Sequence, residues 1–171
     1  MSYEQKQADG RVIWITGLSG AGKTTLARAL LEKLSEAILL DGDELREALG
    51  AANSGFDAES RKKLALTYAR LAGLLARQGK TVIVATISLF HEVHAWNRKH
   101  LPGYFEVFLD VPQEICRKRD AKGLYATEHS GETGKMVGSN MPVEFPERPH
   151  LVVHENTSVT EAVKDILLNI G

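Results

Sequence analysis

The chain has 171 residues, 21 Lys plus Arg against 22 Asp plus Glu, and 43% hydrophobic residues. That length supports one core burying about 70% of the chain's surface and is too short for two ordinary domains, while a formal charge of −1 removes the electrostatic case for a nucleic-acid polymer or a membrane surface as partner. The N-terminus is polar, no apolar run approaches a membrane span, and the single cysteine, Cys116, has no second cysteine to pair with, so a single cytoplasmic domain over residues 1–171 is expected.

Short β-branched segments alternate with amphipathic ones. Residues 11–16 (RVIWIT) read as a strand that runs into a glycine-rich turn, and residues 23–34 place Leu26, Leu30, Leu31 and Leu34 at helical spacing. A second strand is expected over 37–40, closed by Asp41-Gly42-Asp43, with Asp43 the expected cap of the helix that follows. The longest helix signal covers 57–78, where Leu64, Tyr68, Leu71 and Leu75 form an apolar stripe. Residues 81–86 (TVIVAT) are apolar on both faces, as in the middle of a parallel sheet. A helix over 91–100, a strand over 104–109, a helix over 112–120 with Pro112 in its first turn, a strand over 151–154 and a helix over 159–170 complete the pattern. Residues 121–149 show no period and exceed an ordinary connection, which points to a lid. Five strand–helix alternations predict an α/β three-layer sandwich, a five-stranded parallel sheet with helices on both faces.

Residues 17–24 read Gly-Leu-Ser-Gly-Ala-Gly-Lys-Thr, a full match to G-x-x-x-x-G-K-[ST] placed between a predicted strand and a predicted helix. The glycines let successive N–H groups curl around phosphate oxygens, Lys23 supplies a point charge, and the Thr24 hydroxyl can ligate Mg²⁺. Gly17, Ser19, Gly20, Ala21, Gly22, Lys23, Thr24 and Thr25 are therefore candidates for a nucleoside triphosphate, and the fold expected is that of a P-loop NTPase. No N-K-x-D segment is present to read guanine, and small size plus a lid favours a small-molecule kinase, whose closure excludes water. Asp41, at the carboxyl edge of the sheet, is a candidate to orient an attacking hydroxyl or contact the metal. Arg46, three residues beyond Asp43, suits an anionic substrate group. Arg117, Lys118, Arg119 and Lys122 form a basic cluster at the lid hinge, able to stabilise charge on a transferring phosphoryl group.

GLSGAGKTT, LDGDELR, Gly55-Phe56 with Arg61, and RDAKGLY at 119–125 together resemble the adenylylsulfate kinase family, in order and spacing, over about residues 11–168. The resemblance implies a P-loop kinase using ATP and Mg²⁺ to phosphorylate the ribose 3′-hydroxyl of adenylylsulfate, and a homodimer. It implies that Asp41 serves the hydroxyl and, with Thr24, the metal. Lys23, Arg119 and Lys122 would carry the chemistry, Arg117 would contact the ATP, and Asp43, Arg46 and Arg61 would hold the acceptor. Phe56 would stack on its base, while Ile87, Ser88, Leu124 and Met136 would line its pocket.

The chain departs from the family pattern on the acceptor side. An E-N-x-x-R run becomes Lys63, Leu64 and Thr67; F-I-S-P becomes Thr86-Ile87-Ser88-Leu89; and the lid F-T-G-I becomes Met136-Val137-Gly138-Ser139, so one stacking aromatic is a methionine. TISLFHEVHAWNRK also resembles a branch of the family acting on cytidine diphosphoramidate, an alternative acceptor with the same chemistry. A non-catalytic nucleotide-binding switch is the alternative from another class. Weaker signals read as structure: His91 and His94 are one residue short of a zinc-binding pair and are expected at a helix surface or pocket rim. Asn97 and Arg98 are candidates to touch substrate, and Cys116, Trp14 and Trp96 are expected to pack.

Overall fold

The computed structural model describes residues 10–51, 55, 57–119 and 142–171. Its elements are β1 (Arg11–Gly17), α1 (Lys23–Lys33), β2 (Ile38–Asp41), α2 (Gly42–Ala48), α3 (Ala58–Ala76), β3 (Thr81–Ala85), α4 (His91–His100), β4 (Phe105–Asp110), α5 (Gln113–Lys118), β5 (Leu151–His154) and α6 (Val159–Ile170). The strands form one parallel sheet in the order β2-β3-β1-β4-β5, with β1 at its centre.

The sheet separates two cores. On one face Ile13, Ile15, Ile83, Val107 and Leu109 pack against Leu26, Ala27 and Leu30 of α1, Cys116 of α5 and Ala162, Val163 and Ile166 of α6. On the other, Val12, Trp14, Val82 and Val84 meet Leu45 of α2, the inner face of α3 and Val93 of α4. Residues alternate between the faces along each strand, so a central strand with both faces covered must be apolar throughout. Residues 12–17 of β1 are all buried.

The inner face of α3 differs from the stripe that the sequence predicts. Its most deeply buried residues are Ala65, Tyr68, Ala69, Ala72, Gly73 and Ala76, while Leu64, Leu71 and Leu75 are only partly buried at the flanks. Small side chains let α3 approach the sheet closely over the fully buried Trp14. Two caps also shift. Asp41, not Asp43, is the N-cap of α2, accepting the Asp43 N–H, because the helix already begins at Gly42. Pro112 is the N-cap of α5 rather than a member of its first turn, and that helix ends at Lys118.

An acidic side chain lies buried in β4. Glu106 of β4 is 1% exposed; it accepts from Tyr104 Oη at 2.6 Å and from Arg98 Nη2 of α4 at 3.2 Å. The Glu106 N–H also donates to His150 Nδ1 at 2.9 Å, joining β4 to the segment that leads into β5. These partners offset the desolvation cost of the carboxylate. Arg98 thus serves the fold, and the same Nη2 also donates to the Arg148 carbonyl at 2.9 Å.

Candidate active site

The glycine-rich turn leaves β1 and delivers the chain into the N-terminus of α1. Gly20 has φ 81° and a Cβ there would stand 2.6 Å from the Cys116 carbonyl oxygen, so both space and conformation demand glycine. Gly22, the N-cap of α1, needs glycine for its φ of 100° alone. The helix has no side-chain cap, leaving its first N–H groups for an anion at the positive end of the helix dipole. Lys23 Nζ donates to the Leu18 carbonyl at 2.7 Å, which folds the ammonium back over the turn.

Asp41 joins this loop to the acceptor side. It is 6% exposed at the end of β2; its Oδ2 accepts from Thr24 Oγ1 at 2.7 Å and its Oδ1 accepts the Asp43 N–H at 3.0 Å. The two residues expected to hold a metal therefore touch. Among the described residues no group of three or more His, Cys, Asp or Glu could hold a metal ion. A hydroxyl and one carboxylate nevertheless fit Mg²⁺, a hard cation that keeps most of its waters and binds phosphate oxygens. Tyr68 of α3 donates to the Gly42 carbonyl at 3.2 Å and fixes the start of α2.

These groups line one cleft of about 700 Å³ at the carboxyl ends of the strands. Ser19 to Thr25, Asp41, Asp43, Arg46, Arg61, Ile87, Ser88 and Arg119 all face it. Arg46 also reaches the Ala51 carbonyl at 3.3 Å. Burial lowers the pKa of Arg61 first, and the Arg46 charge lowers it further, although Asp57 opposes them. Two neighbouring guanidiniums make that end of the cleft selective for an anion. Of the remaining sequence candidates, Gly17 ends β1 opposite Leu109, and Arg117 is exposed on α5; neither lines the cleft. Phe56, Lys122, Leu124 and Met136 lie outside the described residues, as does most of the expected lid.

The sequence reading missed the wall formed by Val153, His154, Glu155, Thr157, Ser158, Val159 and Ala162. Their one available signal was position, since a loop leaving the carboxyl end of a parallel strand borders the ligand crevice. Asn97 and Arg98, considered for substrate contact, do not line the cleft: Asn97 is fully buried on the inner face of α4, and Arg98 is held by Glu106. Cys116 is buried, and burial raises its thiol pKa, consistent with packing.

Of the two histidines expected at a helix surface or pocket rim, His91 is exposed and lines a second groove. His94 lines that groove too but is more deeply placed than expected, 6% exposed, with Nε2 3.0 Å from the Ser88 carbonyl. Burial pushes its pKa down to about 4; the Ser88 carbonyl and Glu144 favour the proton, while His91 and Arg98 oppose it. Below about pH 6.5 the unfolded chain binds a proton here that the folded protein refuses until about pH 4, so stability falls as pH drops through that window. His150, lowered by burial and then by Arg98, acts in the same direction. The urea midpoint is therefore expected to be lower at pH 5 than at pH 7, with His94→Gln shrinking the difference; an unchanged difference would exclude His94 as a source.

The adenylylsulphate kinase family profile matches residues 9–154. An adenylyl-sulfate kinase of Deinococcus deserti is 42% identical over 167 residues, covering 95% of this chain and 92% of that protein. A cytidine diphosphoramidate kinase of Campylobacter jejuni is 43% identical over 140 residues, covering 80% of this chain and 81% of that protein. Among solved structures, the Mycobacterium tuberculosis APS kinase CysC in complex with AMPPNP and APS superposes with a TM-score of 0.86 at 36% identity, covering 95% of this chain and 97% of that one. With a P-loop, a parallel sheet and a basic cleft already in place, these likenesses establish that the chain is a phosphotransferase belonging to the adenylylsulphate kinase family.

Proposed function

We propose that this enzyme transfers the γ-phosphoryl group of ATP to the ribose 3′-hydroxyl of adenylylsulfate, as a cytoplasmic, homodimeric enzyme of sulfate assimilation. One observation carries the reading: Lys23, the Thr24–Asp41 pair and the two guanidiniums of Arg46 and Arg61 share a single cleft. Donor and acceptor can then lie end to end, as in-line transfer requires. Lys23 holds the β/γ-phosphate end, with Arg119 facing the same space. Arg46 and Arg61 hold the acceptor's anionic group, and Asp41 orients its hydroxyl. Thr24 and Asp41 would hold Mg²⁺, which when bound neutralises charge on the phosphate oxygens. Phe56, Lys122, Leu124 and Met136 are proposed for the acceptor and lid on the resemblance alone.

A specific residue favours a second reading of the acceptor. Leu64 lines the cleft, half-buried, where the family resemblance calls for a polar group. An apolar residue there gives up a hydrogen bond to the base, which weakens the case for adenine and suits the cytidine diphosphoramidate alternative. The discriminating experiment measures ADP release with each nucleotide as acceptor. Adenylylsulfate is expected to give a kcat/KM at least tenfold higher. The reverse ratio assigns the site to the cytidine nucleotide, and no ADP release with either overturns the kinase reading.

A further inference from the structure

The connection from β3 to α4 lines the cleft through Thr86, Ile87, Ser88 and Phe90 and is unusually constrained. Ser88 carries φ 37°, the one left-handed non-glycine among the described residues. Such a conformation persists only where its surroundings over-determine it, and here they do. Three successive carbonyls are taken by three different parts of the fold. Thr16 Oγ1 of β1 donates to Ile87 O. His94 Nε2 of α4 lies 3.0 Å from Ser88 O, which also accepts the Phe90 N–H at 3.0 Å. The Glu144 N–H donates to Leu89 O at 3.1 Å. The side chains of Thr86 and Ser88 are themselves paired at 2.9 Å.

A carbonyl can only accept, so His94 Nε2 must carry the ring proton. Nδ1 is then the lone-pair atom, and it is enclosed with no hydrogen-bond partner among the described residues. That is the tolerable tautomer, because an enclosed N–H lacking an acceptor would cost more than an idle lone pair. His94 does not line the cleft. It lines a separate groove of about 300 Å³ with His91 and Arg98, whereas Thr86, Ile87 and Ser88 face the cleft. Among the described residues, its link to the cleft runs through the backbone of the turn.

We propose that His94 is a positioning residue for acceptor selection: its Nε2–H pins the Ser88 carbonyl and so fixes the Ile87–Ser88 wall against which the acceptor nucleotide lies. The inference rests on reading the cleft as a nucleotide kinase site, with the acceptor beside Ile87 and Ser88. A purely packing role would be met by any side chain of similar bulk, whereas a positioning role needs an N–H at that point.

The test compares wild type with His94→Leu, which keeps bulk and loses the donor, and His94→Gln, which keeps a donor. Initial rates are measured with ATP and acceptor varied separately. His94→Leu is expected to raise the acceptor KM about tenfold while leaving the ATP KM within twofold, and His94→Gln to recover most of that loss. Equal movement of both KM values, no movement of either, or a Gln variant no better than Leu at equal melting temperature overturns the proposal. Histidine ¹⁵N NMR of the wild type gives a reading independent of any variant's folding: the Nε2–H tautomer is expected at neutral pH, and the Nδ1–H tautomer overturns it. Absence of turnover by the wild type with every acceptor would overturn the kinase reading itself, whereas normal wild-type turnover with coincident KM shifts overturns only the role of His94.

Discussion

Asp41→Ala is expected to lower turnover by about 10²–10³-fold and stability by about 1 kcal/mol. The double loss follows from the division of labour between the two carboxylate oxygens. Oδ1 caps α2 through the Asp43 N–H, and Oδ2 meets the Thr24 hydroxyl where the metal and acceptor hydroxyl are proposed to converge. Asp41→Asn separates the roles. Its amide oxygen can still accept the capping N–H, but its amide nitrogen can neither accept from Thr24 nor ligate a cation. Urea unfolding should therefore find Asn close to wild type and Ala below it, while steady-state assays find both impaired. An Asn variant with wild-type turnover would remove Asp41 from the chemistry.

Lys23→Met is expected to cost about 10³-fold in kcat/KM with little change in melting temperature. Methionine keeps the unbranched stem and removes the ammonium, whose neighbour in the turn is the Leu18 carbonyl at 2.7 Å. Besides the hydrogen bond to Leu18, the variant loses the charge offered to the phosphates, which is worth most at the transition state, where charge accumulates on the transferring group. Lys23→Arg is expected to rescue poorly, because a planar fork cannot replace a compact point charge inside a turn of this curvature. A coupled ADP-release assay decides the matter: residual activity above one tenth of wild type in the Met variant would assign the phosphate charge elsewhere.

What the sequence disclosed depended on how local each requirement was. The P-loop was legible because it needs positive φ, close approach and a lysine at fixed offsets, and each has a residue type that declares it. The strand at 81–86 declared itself through burial on both faces, and α4, β5 and α6 occupy the predicted residues. The inner face of α3 did not declare itself. Its contact residues are mainly alanines, and a search for large apolar side chains finds the flanks of such a helix. The burial of His94 was not legible for a related reason: Glu144, Glu147 and Arg148, which lie around it, are distant from it in sequence. The wall at 153–162 carries no motif, so only the folded sheet brings it to the cleft.

The two cores have a further consequence. The P-loop and α1 rest on one face of the sheet, while α2 and α3, which bring Arg46, Arg61, Leu64 and Tyr68 to the cleft, rest on the other. Substitutions separated by this layer add nearly independently so long as they spare Asp41, which bonds both to Thr24 and to the start of α2. A lineage built on this scaffold can revise α2 and α3 for a new nucleotide without re-optimising how it grips triphosphate. Divergence of acceptors around a constant donor is the outcome such insulation permits.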